Sequence, residues 1–307
     1  MIKQFASLYD LFEAFPDEQS CIDHLRSIRW ANGAFCPLCG NADAAKIYTF
    51  SDHKTHKCGV CRQRFSIKVG TIFEDTKLPL RKWFAAIWMI TSNRKGVAST
   101  QLARDLKITQ KSAWFVLHRL RHAARTDSFN GGPLSGEVAA DETAVGGKEK
   151  NKHAHKRTKG GRGSVGKTIV MGLVEKDGDV RAGVVDAVDK NTLHSVIFAH
   201  VKAGSVLVTD MHAGYQGLAA DYDHQTVNHG AGEYVRDGFT TNGIESFWAL
   251  FKRQYNGTHH YISPKHMDAY VGEMAYRQNR RELAEGERVN DLLAQVEGRL
   301  TYKALIA

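Results

Sequence analysis

No apolar run in this 307-residue chain is long enough to cross a bilayer, since the longest unbroken one, Trp83 to Ile90, is eight residues where about twenty are needed. Nor does the amino terminus offer a signal-peptide core, because Asp10, Glu13, Asp17 and Glu18 interrupt it; the expected compartment is therefore the cytoplasm, and no membrane partner is expected. Cysteine is scarce, at five residues, which argues against a disulfide framework and for metal ligation or free thiols. No internal repeat is visible. A composition of 42% hydrophobic and 24% charged residues excludes wholesale disorder and collagen-like structure. The length suits roughly two domains.

What is present is positive charge, unevenly spread. Residues 77–126 carry eleven Lys and Arg against Asp105 alone, and residues 146–167 carry eight against Glu149 alone. The whole chain has a formal charge of +9, so the remainder is net acidic. Clustered Lys and Arg bind polyanions because neutralised phosphates release counterions; a solvated basic face is the bland alternative for either segment alone. The second segment holds six glycines and reads as a loop, with Lys148, Lys150, Lys152, Lys156 and Arg157 as its candidate DNA contacts. Its GRGSVGK stretch lacks the Walker spacing and a preceding apolar strand, so nucleotide binding is not expected.

Cys36-Pro-Leu-Cys39 and Cys58-Gly-Val-Cys61 are two CxxC pairs with eighteen residues between them. Four thiolates so spaced close a tetrahedral, structural Zn²⁺ site with no position left for water. The alternating KIYTF and RQRFSIKVG runs predict short strands joining the knuckles, hence a zinc ribbon. Cys21, in the helical run EQSCIDHLRSI, is expected to be a buried apolar residue.

From 81 to 125 the apolar period is helical. Leu102, Ala103 and Leu106 form one stripe and Ala113, Val116, Leu117 and Leu120 another, separated by a short turn at Lys107 and Ile108. Ser99 and Thr109 are candidate caps, and the outline is a helix-turn-helix. In it Gln110, Lys111 and Ser112 would reach base edges, with Arg119 and Arg121 also facing DNA. A plain three-helix bundle has the same stripes.

Beyond Pro133 the pattern changes to strands. GEVAADETAVGG places Glu137, Ala139 and Asp141 on one face and Glu142 on the other. KTIVMGLVEK and VRAGVVDAV follow as a hairpin, then a helix near NTLHSVIFAHV and a buried strand SVLVTD ending in Asp210. This order suggests an RNase H-like mixed sheet, an α/β core within an α+β multidomain chain. On the helix TNGIESFWALFKRQY, Asn242, Glu245, Ala249 and Lys252 share one face. Asp141, Asp210 and Glu245 would then converge, and hard carboxylate oxygens of this kind hold the two Mg²⁺ (or Mn²⁺) ions of phosphodiester chemistry. Any one of these acids alone is more simply a turn or cap residue.

In combination, the zinc ribbon CPLCG…CGVC, the helix-turn-helix, DETAVGGKEKNKH, VTDMHAGY, VNHGAGEYV and TNGIESFWALFKRQYNGTHHYISPKHMDAYVGEMAYRQNRR resemble the bacterial insertion-sequence DDE transposases of the ISXO-like type, over residues 15–281. The resemblance implies an RNase H-like catalytic core in which Asp141, Asp210 and Glu245 are the metal-binding triad, with Asn242 the rival for the third place. It implies that Lys252 touches transposon-end DNA, that ends and target DNA are the partners, and that a homodimer or larger assembly forms on DNA at the nucleoid. His229, His259, His260 and His266 match no ordinary zinc spacing and are expected at the surface or facing DNA. Arg277, Arg280 and Arg281 are expected on a final helix, contacting phosphate or pairing locally. The expected division is residues 1–75 for the amino-terminal helix and ribbon, 76–130 for the helix-turn-helix, 131–285 for the catalytic core and 286–307 for a tail. A non-catalytic DNA-binding regulator and a structure-specific nuclease on the same fold are the rival readings.

Overall fold

The computed structural model describes residues 2–125, 132–147, 151, 153–157, 164–228, 233 and 235–307. The chain divides into two compact units, Met1–Ala124 with Glu282–Ala307, and Arg125–Arg281.

In the first unit, α1 (Leu8–Ala14) and α2 (Glu18–Arg29) both open on capping boxes, Ser7 with Asp10 and Asp17 with Ser20. The ribbon follows as three antiparallel strands, β1 (Ile47–Thr49), β2 (Thr55–Cys58) and β3 (Arg64–Ser66). Next comes α3 (Leu80–Ser92), which contains the Trp83–Ile90 run and is buried along most of its length; a helix apolar on nearly all sides has to lie inside. The two helices α4 (Ser99–Leu106) and α5 (Gln110–Ala124) pack against each other and on α3. Lys107 turns the chain between them in the left-handed region, φ 48°. Thr109 accepts the Ser112 N–H at 3.2 Å, as a cap should. Ser99 does not cap: Ala98 holds the cap position, and the Ser99 hydroxyl accepts from Gln110 Nε2 at 2.8 Å, tying the two helix starts together.

The second unit is built on a five-stranded sheet. Its first three strands, β4 (Glu137–Val145), β5 (Thr168–Glu175) and β6 (Val180–Val185), are antiparallel neighbours. The helix α6 (Lys190–His200) then crosses to β7 (Val206–Asp210), which lies parallel to β4, and β8 (Asp223–Val227) lies parallel to β7. A two-residue hairpin, β9 (Val235–Arg236) and β10 (Phe239–Thr240), leads into α7 (Asn242–Gln254), and α8 (Pro264–Asn279) follows. The sheet order β6-β5-β4-β7-β8, three antiparallel strands continued by two parallel ones, is the RNase H-like arrangement predicted from the sequence.

Strand alternation sorts the core into two layers. Val138, Ala140, Met171 and Leu173 pack with Leu193 and Ile197 of α6. Ala139, Val170 and Ala182 pack on the other face with Ile244, Phe247 and Phe251 of α7 and Val271 of α8. Asp141 belongs to this second face by parity, and Glu142 to the first.

The chain then returns to the first unit. The expected tail is folded: α9 (Glu285–Ala294) buries Val289, Leu292 and Leu293 against α2 and α3, and α10 (Tyr302–Ile306) closes the chain. With Val296, these residues follow a helical apolar period that an isolated tail would not need. Gly286 allows the approach, since a Cβ there would stand 2.0 Å from the Phe5 carbonyl oxygen. Arg29 and Glu297 add a two-pronged ion pair at 2.5 and 3.0 Å. Among the described residues, no helix is long and apolar enough to cross a membrane.

Candidate active site and zinc centre

The two CxxC turns bring four sulfurs together. Cys36 and Cys61 lie 3.8 Å apart, Cys39 and Cys58 3.7 Å, and all four within 4.8 Å of one another, with no disulfide formed. Tetrahedral Zn–S bonds of about 2.3 Å require sulfurs separated by roughly 3.8 Å, so the set fits zinc. The knuckles repeat one geometry. In each, the first cysteine's N–H bonds a carbonyl five residues on (Asn41 at 2.8 Å, Gln63 at 3.1 Å), and the residue after the second cysteine has positive φ, Gly40 at 75° and Arg62 at 62°. Among the described residues, Cys36, Cys58 and Phe65, flanked by Trp30, Ile47, Cys61 and Val69, form the local core, too little to hold three short strands without the metal. His56 is not a ligand: it is buried beside Trp30, bonded to Thr49 at 3.1 Å, and burial first, then Arg26, pushes its pKa down to about 4. Cys21 is fully buried, as expected.

Asp141 and Asp210 owe their proximity to strand register. β4 and β7 pair in parallel at Glu137–Val206, Val138–Leu207 and Ala139–Val208. Two residues further, the same register sets Asp141 beside Asp210 on one face, just past the end of the ladder. On its other side Asp141 pairs with Gly172 of β5. A Cβ on Gly172 would stand 2.6 Å from Ile244 Cδ1 and 2.8 Å from Trp248 Cζ2, so the absent side chain is what lets α7 lie against the sheet next to Asp141. Gly172→Ala should lower stability by about 1–3 kcal/mol through overpacking, measured as a reduced urea midpoint.

Glu245 is half-buried in the first turn of α7 and accepts from Thr241 Oγ1 at 3.1 Å. Asn242, the helix's first residue, is exposed. Asp210 accepts the His212 N–H at 2.9 Å. Burial, then the neighbouring charges of Glu142 and Asp210, push Asp141 up to about 6 against the opposing pull of the Glu142 N–H and the Trp248 indole. The site thus concentrates negative charge on oxygen donors of the kind that suit Mg²⁺ or Mn²⁺. The chemistry of the donor set fits such a cation. Among the described residues, the three carboxylates are not gathered within 4.8 Å of one another as the cysteine sulfurs are.

On the opposite face Glu142 accepts a 2.5 Å hydrogen bond from Tyr215, whose phenol burial and the Glu142 charge push far up, so that it stays a donor. The sequence motifs DET and VTDMHAGY contain this pair, but no spacing rule marks it.

Of the predicted DNA-facing residues, Gln110 and Lys111 are exposed and Ser112 half-exposed on the first turn of α5, and Lys111 lies over the Tyr302 ring at 4.9 Å. Arg119 and Arg121 do not face outward. Both are buried, and Arg119 donates to the carbonyls of Ile72 (2.8 Å), Glu74 (3.0 Å) and Leu300 (3.1 Å). Past its first turns α5 is enclosed by the loop after β3 and by the carboxy-terminal segment, whose carbonyls lack ladder partners and take the guanidinium instead. Lys252 is exposed on α7 and Arg157 is exposed. Lys148, Lys150, Lys152 and the side chain of Lys156 lie outside the described residues, as does His229. His260 is exposed and His266 half-exposed, but His259 turns inward, its ring 4.8 Å from that of Tyr270. Arg277 is buried, pairing with Glu273 and donating to Gln254 at 2.7 Å, which settles it as a local partner.

A zinc ribbon and an RNase H-like sheet, with Asp141 and Asp210 on neighbouring strands of the face that a glutamate-bearing helix covers, are the parts expected of a DDE-class transposase. Residues 133–279 match the ISXO2-like transposase domain and residues 16–64 the transposase zinc-ribbon domain. The chain thus carries, in order, the zinc-ribbon and ISXO2-like domains of an insertion-sequence transposase. It is similar to the "Uncharacterized protein in transposable element ISH50" of Halobacterium salinarum, 25% identical over 277 residues that cover 87% of this chain and 92% of that protein. Among solved structures it is similar to a pre-cleavage Mos1 transpososome (12% identity, TM-score 0.26) and to a Mos1 transposase paired-end complex with the left transposon end (11%, TM-score 0.19), each covering 74% of this chain and 82% of the other.

Proposed function

We propose that this transposase binds the terminal inverted repeats of its own element, hydrolyses the phosphodiester at each end, and joins the freed 3′-hydroxyl to target DNA. The observation that carries this is the register that sets Asp141 beside Asp210 on the face covered by α7, where Glu245 stands in the first turn. Asp141, Asp210 and Glu245 would hold Mg²⁺ or Mn²⁺, which when bound stabilises charge developing on the attacking and leaving oxygens. The paired strands β4 and β7 orient the two aspartates before DNA arrives. Hydrolysis breaks the bond between phosphorus and the 3′ oxygen and leaves a 3′-hydroxyl; joining breaks an equivalent bond in the target as that hydroxyl attacks in line. No covalent enzyme intermediate is needed. The exposed first turn of α5, with Gln110, Lys111 and Ser112, is suited to the major groove, and Lys252 to backbone phosphate. Two ends must be joined together, so the working form is a dimer or larger on DNA, in the cytoplasm at the nucleoid.

The test is a Mg²⁺-dependent cleavage and strand-transfer assay on DNA from both flanks of the gene. Cleavage with joining supports the reading. Cleavage without joining would make the protein a nuclease, and specific binding without chemistry a regulator. Replacing Lys148, Lys150, Lys152, Lys156 and Arg157 by Ala should weaken end binding and flatten its salt dependence, by about 0.9 in slope for each phosphate no longer neutralised. An unchanged slope in filter binding across salt concentrations would show that this loop does not touch DNA.

A further inference from the structure

We propose that the hydrogen bond between Tyr215 and Glu142 is a strap that positions the two aspartates, an inference that rests on the functional reading above. The hydrogen-bonded ladder between β4 and β7 stops at Ala139 and Val208, so Asp141, in the middle of β4, and Asp210, at the end of β7, are held on their outer sides by Gly172 of β5 and Val227 of β8 but are not joined to each other by this ladder. Across that gap, on the opposite face, Tyr215 donates to Glu142 at 2.5 Å. Glu142 immediately follows Asp141, and Tyr215 lies five residues after Asp210. The intervening turn is short of play: Asp210 accepts the His212 N–H at 2.9 Å, and the Gly214 N–H bonds His212 Nδ1 at 3.1 Å. Gly214 also sits so close to α6 that a Cβ would stand 2.7 Å from Leu193 Cδ1. Tyr215 itself is 1% exposed in the α6-side core, so its ring is a fixed anchor.

Pulling on this strap draws together two backbone segments, each of which carries one aspartate on the other face. Tyr215 lies on the far face of the sheet from the aspartates and is a positioning residue that acts through Asp141 and Asp210. Groups of this kind, one layer behind metal ligands, typically change metal affinity or activity by about 10–100-fold when removed.

Tyr215→Phe keeps the ring in the core and deletes only the hydroxyl. In the full-length protein, Mn²⁺ titration calorimetry should show affinity reduced about 10–100-fold, while end-DNA binding without metal and the thermal midpoint stay close to native. Glu142→Ala should reproduce the loss, Glu142→Gln should retain more of the affinity because it keeps an acceptor oxygen, and the Tyr215→Phe, Glu142→Ala double variant should lose little more than either single one. Native Mn²⁺ affinity in Tyr215→Phe, or a loss explained by a general fall in thermal midpoint, would overturn the strap. Asp141→Asn is the separate control: if it leaves Mn²⁺ affinity unchanged in the native background, the carboxylate site itself is wrong, and the strap falls with it.

Discussion

Asp141→Asn and Asp210→Asn should each cut Mg²⁺-dependent cleavage of element-end DNA by about 10²–10⁴-fold, since a metal's charge stabilisation is worth several kcal/mol and each 1.36 kcal/mol is tenfold. End binding should survive in both, because the variants are isosteric and the exposed α5 turn belongs to the other unit. Asp141→Asn should also make the metal-free protein more stable. Its carboxyl is pushed up to about 6, mainly by burial and then by the charge of Glu142. A carboxyl whose folded pKa is raised favours the protonated fold: its ionisation costs stability above about pH 6, and that stability returns as pH falls toward the unfolded value near 4. At pH 7.5 the neutral amide removes this cost, for a gain of about 1–3 kcal/mol, seen as a higher thermal midpoint without Mg²⁺ that narrows when Mg²⁺ is added to both proteins. A lower midpoint for the variant would contradict the reading of this site as charge awaiting a cation. Glu245→Gln should fall with the aspartates and Asn242→Ala should not; the opposite result would move the third ligand to Asn242.

Removing zinc is expected to have the second large effect. Four thiolates and a core of three buried side chains hold β1 to β3 together, and apparent binding energies of structural zinc sites reach about 10–16 kcal/mol. Cys58→Ser, or a strong chelator, should therefore unfold the ribbon while leaving the five-stranded sheet intact. Hydrogen exchange is the measurement: amides of residues 36–66 should lose protection, those of β4 and β5 should keep it, and specific end binding should drop. Metal analysis of the native protein should give one zinc per chain. Retained protection across the ribbon in zinc-free protein would mean the cysteines are not what holds it.

Much of the fold is legible in the sequence. Two CxxC pairs at that spacing admit few structures, and the helical stripes around Lys107 placed α4 and α5 within a residue or two. The strand run ending in DET, the hairpin, the α6 crossover and the strand ending in VTD were each marked by local periodicity, and their order already implied the sheet. Where the reading failed, burial decided. Arg119 and Arg121 read as DNA contacts because charge in a basic segment looks exposed, yet α5 is covered past its first turns and Arg119 caps carbonyls from residues 72, 74 and 300. The expected tail is folded back by Val289, Leu292, Leu293 and Val296, a stripe legible in the sequence whose partners α3 and α2 lie about 200 and about 260 residues earlier in the chain.

The candidate chemistry, four thiolates for zinc and carboxylates for a hard cation, is legible in the sequence alone, because ligand type and spacing are local properties. So are the identities of Asp141, Asp210 and Glu245 as candidates. Their arrangement was decided only in three dimensions. The parallel register of β4 with β7 sets two aspartates 69 positions apart in the chain side by side. Gly172, an unremarkable strand residue in the sequence, is what lets α7 approach them. The Tyr215–Glu142 bond behind them joins residues from two motifs that no periodicity connects. Such arrangements depend on long-range pairing and on which side chains are absent, and neither leaves a repeating pattern along the chain.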